Sequence, residues 1–140
     1  MKSASYPVIE EAFQLSVWIA GCVERMPRSH KFTIGDRLHT KLLELIDTLI
    51  LAAYTKGRVE HLRQANLLLE QARYLLRMAH ELRLVDERKY EYGAKAVNSI
   101  GRGVGGWLKA NAQAPRPPIR QDRELSGTAP RGAAGDTGQA

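Results

Sequence analysis

Apolar residues recur along this chain at alternating steps of four and three. Val8, Ala12, Leu15, Ile19, Cys22 and Met26 make the first such row, the spacing that lines up one face of an α-helix. Phe13 and Trp18 stand beside the row and broaden it. Pro7 suits a first helical position, where its missing N–H costs nothing. Glu10 and Glu11 put negative charge near the positive end of the helix dipole. Helix one is predicted from about Pro7 to Met26.

Ile34, Leu38, Leu42, Leu45, Leu49 and Ala52 repeat the pattern, widened by Ile46, Ile50 and Ala53. Helix two is predicted from about Ile34 to Lys56, with Gly57 as the left-handed residue that ends it. Leu62, Ala65, Leu69, Ala72, Leu76 and Ala79 form a third row, flanked by Leu68, Leu75 and Leu82. That row predicts helix three from about Arg58 to Arg83. Asp86 is placed to cap helix four, with Val85 and Tyr90 at hydrophobic-staple spacing. Tyr90, Ala94, Val97, Gly101, Val104 and Leu108 carry its seam to about Ala112.

The links between these rows are short, and short links make antiparallel neighbours. The expected fold is all-α: an antiparallel up-down-up-down four-helix bundle over residues 1–112. Residues 113–140 hold Pro115, Pro117, Pro118 and Pro130, with only Ile119 and Leu125 as large aliphatics. Such a stretch buries too little apolar area to offset its ordering entropy and is expected to be a disordered tail.

Leu49-Ile50-Leu51 and Leu67-Leu68-Leu69 add an expectation about assembly. Successive helical residues step ~100°, so three in a row span ~200° of the circumference. A monomeric bundle buries a narrower stripe, so some of these side chains are expected to face another subunit.

The segment between helices one and two is Met26-Pro27-Arg28-Ser29-His30-Lys31-Phe32-Thr33-Ile34-Gly35-Asp36-Arg37. Pro27 disfavours helix at the residue before it. Thr33 is the expected start of helix two, its hydroxyl accepting the backbone N–H of Asp36. Arg28, Lys31 and Arg37 make this hinge the densest local patch of positive charge.

Composition narrows the function. The 140 residues are 44% hydrophobic and 26% charged, with a net charge of +6 and a pI near 9.7. A basic balance favours polyanionic partners. The one cysteine, Cys22, forms no intramolecular disulfide and fits a reducing cytoplasm. In the helix-one seam it reads as a small buried hydrophobe. No signal-peptide core follows the N-terminus, and the longest apolar run, Leu49 to Tyr54, is too short to span a membrane.

Catalytic patterns are sparse. A bundle di-metal site needs Glu-x-x-His on two helices, and the chain offers only Asp36-x-x-His39. It has no phosphate-binding loop, no dinucleotide fingerprint and no nucleophile elbow. No cofactor and no metal are expected.

Helix four carries the most informative charges. Arg88, Lys95, Arg102 and Lys109 fall at every seventh position and share one face, interrupted by a single acid, Glu91. That acid stands at pairing distance from Lys95. On helix three, Arg73 has Glu70 within reach and Arg77 has Glu81. Gly101, Gly103, Gly105 and Gly106 crowd the end of helix four. Glycine costs a helix roughly 1 kcal/mol relative to alanine. The helix therefore either frays after Ile100 or lets a neighbouring backbone come close, with Trp107 closing the gap.

The hinge, the leucine-rich helix after it, and Ile100-Gly101-Arg102-Gly103-Val104-Gly105-Gly106-Trp107-Leu108-Lys109 together resemble the accessory variability determinant of diversity-generating retroelements. The similarity covers roughly residues 8 to 112. Its most specific part is a Gly-Arg-x-x-Gly-x-Trp pattern met by Gly101, Arg102, Gly105 and Trp107. The resemblance implies a four-helix protomer assembled as a homopentameric barrel with a basic surface. It implies association with the retroelement's reverse transcriptase and its RNA, in support of mutagenic cDNA synthesis, without catalytic residues; the complementary DNA is a further candidate partner. The same superfamily includes proteins encoded in intervening sequences of bacterial 23S ribosomal RNA genes, so the alternative is a helical module that binds only protein. The residues expected to touch nucleic acid or enzyme are Arg28, Lys31, Arg37, Arg88, Lys95, Arg102 and Lys109.

Overall fold

The computed structural model describes residues 6–112, so the tail expected over 113–140 lies outside the described residues. Among the described residues the chain is all helical. Helix α1 is Pro7–Glu24, α2 is Asp36–Ala53, α3 is Arg58–Glu81 and α4 is Glu87–Ala112. Each packs against the next, and α1 closes the set against α4. This is the up-down-up-down order expected from the short links. Helices α2 and α4 lie across one diagonal of the bundle, α1 and α3 across the other.

All the residues of the first row are buried, as are those of the third, and in the second only Ile34 is partly exposed. Alanines recur every seventh residue on α3, at Ala65, Ala72 and Ala79, each essentially without solvent contact. Their small side chains leave room for the leucines of α2, of which Leu38, Leu42, Leu45 and Leu49 are fully buried. Tyr90, Ala94 and Leu108 line the edge of the core on α4, while Val97, Ile100 and Val104 fill its centre. Asp86 caps α4 as expected, its Oδ1 accepting the Lys89 N–H at 2.8 Å.

The hinge differs from its expected form. Helical structure begins at Arg28, with one α-turn, Arg28–His30, and then a π-turn, Lys31–Gly35, running without a break into α2. Pro27 is extended (φ −61°, ψ 146°), and its carbonyl accepts the N–H groups of His30 at 3.0 Å and Lys31 at 2.9 Å. The Asp36 N–H goes to the Lys31 and Thr33 carbonyls, so it is not available to the Thr33 hydroxyl. That hydroxyl instead donates to the His30 carbonyl at 3.3 Å. The turn widens where Gly35 meets α1: a Cβ there would stand 2.9 Å from Val23 Cγ1 and 3.0 Å from Met26 Sδ.

Two helix ends also differ. Helix α2 stops at Ala53, and Gly57 has φ −84°. Gly57 therefore precedes α3 at its N-cap, a position that accepts glycine, and is not left-handed. The left-handed residue of the bundle is Arg83 (φ 62°), just past α3. Finally, α4 does not fray at its glycines but continues to Ala112.

The leucine triplets do turn apolar surface outward. Ile50 and Leu51 on α2 and Leu67 on α3 are 41–52% exposed. Among the described residues no helix is long and apolar enough to cross a membrane.

Candidate nucleic-acid interface

Helix α4 presents its cations as the spacing requires. Seven residues rotate an α-helix to within ~20° of a full number of turns. Arg88, Lys95, Arg102 and Lys109 are all exposed. Among the described residues none of the four makes an ion pair, and Glu91 does not pair with Lys95. Arg102 turns outward although glycines surround it.

Those glycines have separate explanations. Gly103 abuts α1, where a Cβ would stand 3.1 Å from Val8 Cγ2. The close neighbour is thus a side chain rather than a backbone. Gly101 leaves room for the Arg73 guanidinium, which bonds both Glu70 and, across the α3–α4 seam at 3.1 Å, Asn98 Oδ1. Gly105 and Gly106 have nothing within 4 Å and lie on the exposed side. Trp107 packs against Tyr6, ring centroids 5.8 Å apart. The two aromatics wall a cleft of about 420 Å³ with Val8, Glu11, Arg58 and Ser99, and the Ser99 hydroxyl donates to Glu11 at 3.1 Å.

On α3, Arg73 is held by Glu70 as expected. Arg77 lies over the Tyr74 ring, 5.9 Å from its centroid, rather than against Glu81. At the far end of α3, His80 bonds Glu87 at 2.9 Å and stacks on Tyr90 at 4.4 Å. Among the described residues no three His, Cys, Asp or Glu side chains gather as a metal would need. Cys22 is buried, and burial pushes its thiol pKa up against the opposing pull of Lys89 and Arg25.

The hinge cations cluster around one ring. Arg28 Cζ lies 5.9 Å and Lys31 Nζ 5.8 Å from the centroid of Phe32. Arg37 and Lys41 stand one turn apart beside it. Sequence reasoning missed Phe32 and Lys41, although the i,i+4 step from Arg37 to Lys41 was a visible signal. The hinge belongs to the α1–α2 corner and the long basic row to α4, diagonal to α2. Within one protomer the seven candidate residues therefore form two sites, approaching each other only where Arg88 opens α4 at the hinge end of the bundle.

The fold defines the chain as an all-helical bundle protein with a basic face along one helix. A family model described as bAvd-like matches residues 8–111, and the chain belongs to that family. No curated protein matches it. The resemblance drawn from the hinge and the glycine-rich segment therefore holds at the level of the family.

Proposed function

We propose that this protein is a non-catalytic accessory subunit of a diversity-generating retroelement. It works in the cytoplasm, holding RNA and nascent complementary DNA next to the element's reverse transcriptase and so supporting mutagenic cDNA synthesis. Membership of the bAvd-like family fits such an accessory role. The observation that carries the binding reading is the row Arg88, Lys95, Arg102 and Lys109, exposed along α4 and without an ion pair among the described residues. A phosphate chain meets such a row at repeated intervals, and each contact releases counterions.

Assembly strengthens the row. Phosphate contacts are individually weak and blind to sequence. A ring of identical subunits repeats them, and effective concentration raises avidity beyond that of one site. A homopentamer is the assembly we propose. It is supported by apolar residues exposed on two separate sides: Phe13 and Val17 on α1 with Leu43 and Ile50 on α2, and Leu67, Tyr74 and Met78 on α3. A closed ring needs two different, complementary faces on each subunit.

Reversing Lys95, Arg102 and Lys109 together to Glu tests the reading. The variant is expected to keep its helix content and oligomer mass while losing RNA or enzyme association, and the wild-type affinity is expected to fall steeply with salt. A folded, assembled triple variant that supports cDNA synthesis at the wild-type level would place the binding site elsewhere. The exposed apolar faces also suit a module that binds only protein, and for that reading RNA binding by the wild type would be absent.

A further inference from the structure

We propose that Phe32 is a stacking platform for an unpaired base of single-stranded nucleic acid, with the hinge cations holding the phosphates on either side. The inference rests on the proposed nucleic-acid role and assigns it a second contact site. Phe32 is a large apolar ring with 60% of its surface in solvent, held outward by a π-turn, a distortion frequent at functional sites. Gly35 fixes that turn by its close approach to Val23 and Met26, so the ring rides on a rigid base rather than on a loose loop. Arg28 and Lys31 lie over the ring, within 6 Å of its centroid, so a base that stacks there takes a cation's place on the ring and leaves that cation to the neighbouring phosphate. A cleft of about 440 Å³ opens beside the ring, lined by Thr33, Asp36, Arg37, Thr40 and Lys41. Among the described residues, therefore, four cations and a single lining carboxylate stand around one exposed aromatic, with Lys41 also paired to Glu44 at 3.8 Å.

This combination matches single strands in particular. Every base has a π-face, so aromatic stacking is tolerant of sequence, and a basic groove tracks the backbone beside it. A duplex keeps its bases stacked on each other and offers the ring nothing. The cations of α4 need no such distinction, because they read phosphate alone. The hinge thus prefers unpaired strand, and the α4 row accepts any nucleic acid.

The test uses the full chain and two labelled RNAs of equal length, one single-stranded oligouridine and one duplex. Binding is measured across a salt series for the wild type, Phe32→Ala and Phe32→Trp, with oligomer mass followed by light scattering. Loss of one stacked base is expected to weaken single-strand binding roughly five- to 140-fold in Phe32→Ala. Its salt slope, its duplex affinity and its mass should stay as in the wild type, and Phe32→Trp should bind at least as well as the wild type. Equal single-strand affinity in Phe32→Ala overturns the assignment while leaving the nucleic-acid role standing. So does an equal loss for both RNAs, or a fall in mass, which would make Phe32 an interface residue. Wild-type protein that binds neither RNA sinks both this assignment and the proposed role.

Discussion

Leu84 donates its backbone N–H to the carbonyl of Ala79 at 2.7 Å. Inside that loop the Arg83 N–H bonds the His80 carbonyl at 3.0 Å. The two bonds make the nested pair that closes a helix when the residue after the C-cap turns left-handed. That residue is usually glycine, and here it is Arg83 at φ 62°. The side chain of Arg83 is exposed, so the conformation is bought by the bonds around it and not by any packing of its own.

Arg83→Gly is therefore expected to stabilise the protein. A left-handed non-glycine residue costs roughly 1–2 kcal/mol, and glycine gives back part of that through the entropy of the unfolded chain. A net gain of about 0.5–1 kcal/mol should appear as a higher midpoint in chemical denaturation. An unchanged or lower midpoint would show that the left-handed turn carries no strain.

Two glycines with opposite surroundings give opposite expectations for the same change. Gly35→Ala drives a Cβ to 2.9 Å from Val23 Cγ1, a branched side chain that is itself buried. Overpacking of this kind costs about 1–3 kcal/mol and outweighs the roughly 1 kcal/mol gained in helix propensity. Gly105→Ala meets nothing within 4 Å and keeps the whole propensity gain. Thermal unfolding of the two variants should move in opposite directions, and movement in the same direction would refute the packing assigned to the hinge.

The same pair shows how much was legible in the sequence. The four-three rows located all four helices and almost every core residue, because burial at helical period is local and repetitive. Asp86 was legible as a cap for the same reason. The hinge was not, because the competition for the Asp36 N–H is settled by Gly35 touching Val23 and Met26, a tertiary contact that no local pattern records. The left-handed residue was sought at Gly57 because glycine usually takes that place, and only the distance from Leu84 to Ala79 assigns it to Arg83. The α4 cations were legible from their spacing alone. Their separation from the hinge was not, since it depends on which helices lie across the diagonal.

Cys22 should make stability depend on alkaline pH. Burial raises its thiol pKa, so the fold favours the neutral form. An unfolded thiol ionises near pH 8.5, at roughly its reference value. Below that pH both states keep the proton and the contribution of Cys22 is fully present. As pH rises from there through the higher pKa of the folded state, the unfolded chain is favoured and the contribution is lost. The stability advantage of wild type over Cys22→Ala should accordingly shrink as the pH is raised above about 8.5 in denaturant titrations. An advantage that stays constant would mean that the thiol titrates normally in the fold.

The last expectation concerns how protomers meet. Ile9, Pro7 and Tyr6 border an apolar groove with Ile50, Ala53 and Tyr54. Phe13 and Val17 continue the Ile9 row at helical spacing, and Leu43 continues the Ile50 row. The second apolar row, Leu67, Tyr74 and Met78, lies on α3, diagonal to α1. If the first face of one protomer meets the second face of the next, light scattering should give a mass of several protomers at micromolar concentration, for the whole chain and for one ended after Ala112. Phe13→Ser with Ile50→Ser should break the assembly, and so should Leu67→Ser with Met78→Ser, each without loss of helix. Mixing the two double variants separates a ring from a two-fold dimer. Each then retains one good face, complementary to the good face of the other, so the mixture should form pairs and stop there. A two-fold contact through the α1–α2 face would instead survive the α3 substitutions unchanged. A wild-type monomer at micromolar concentration would remove the avidity on which the basic row of α4 depends.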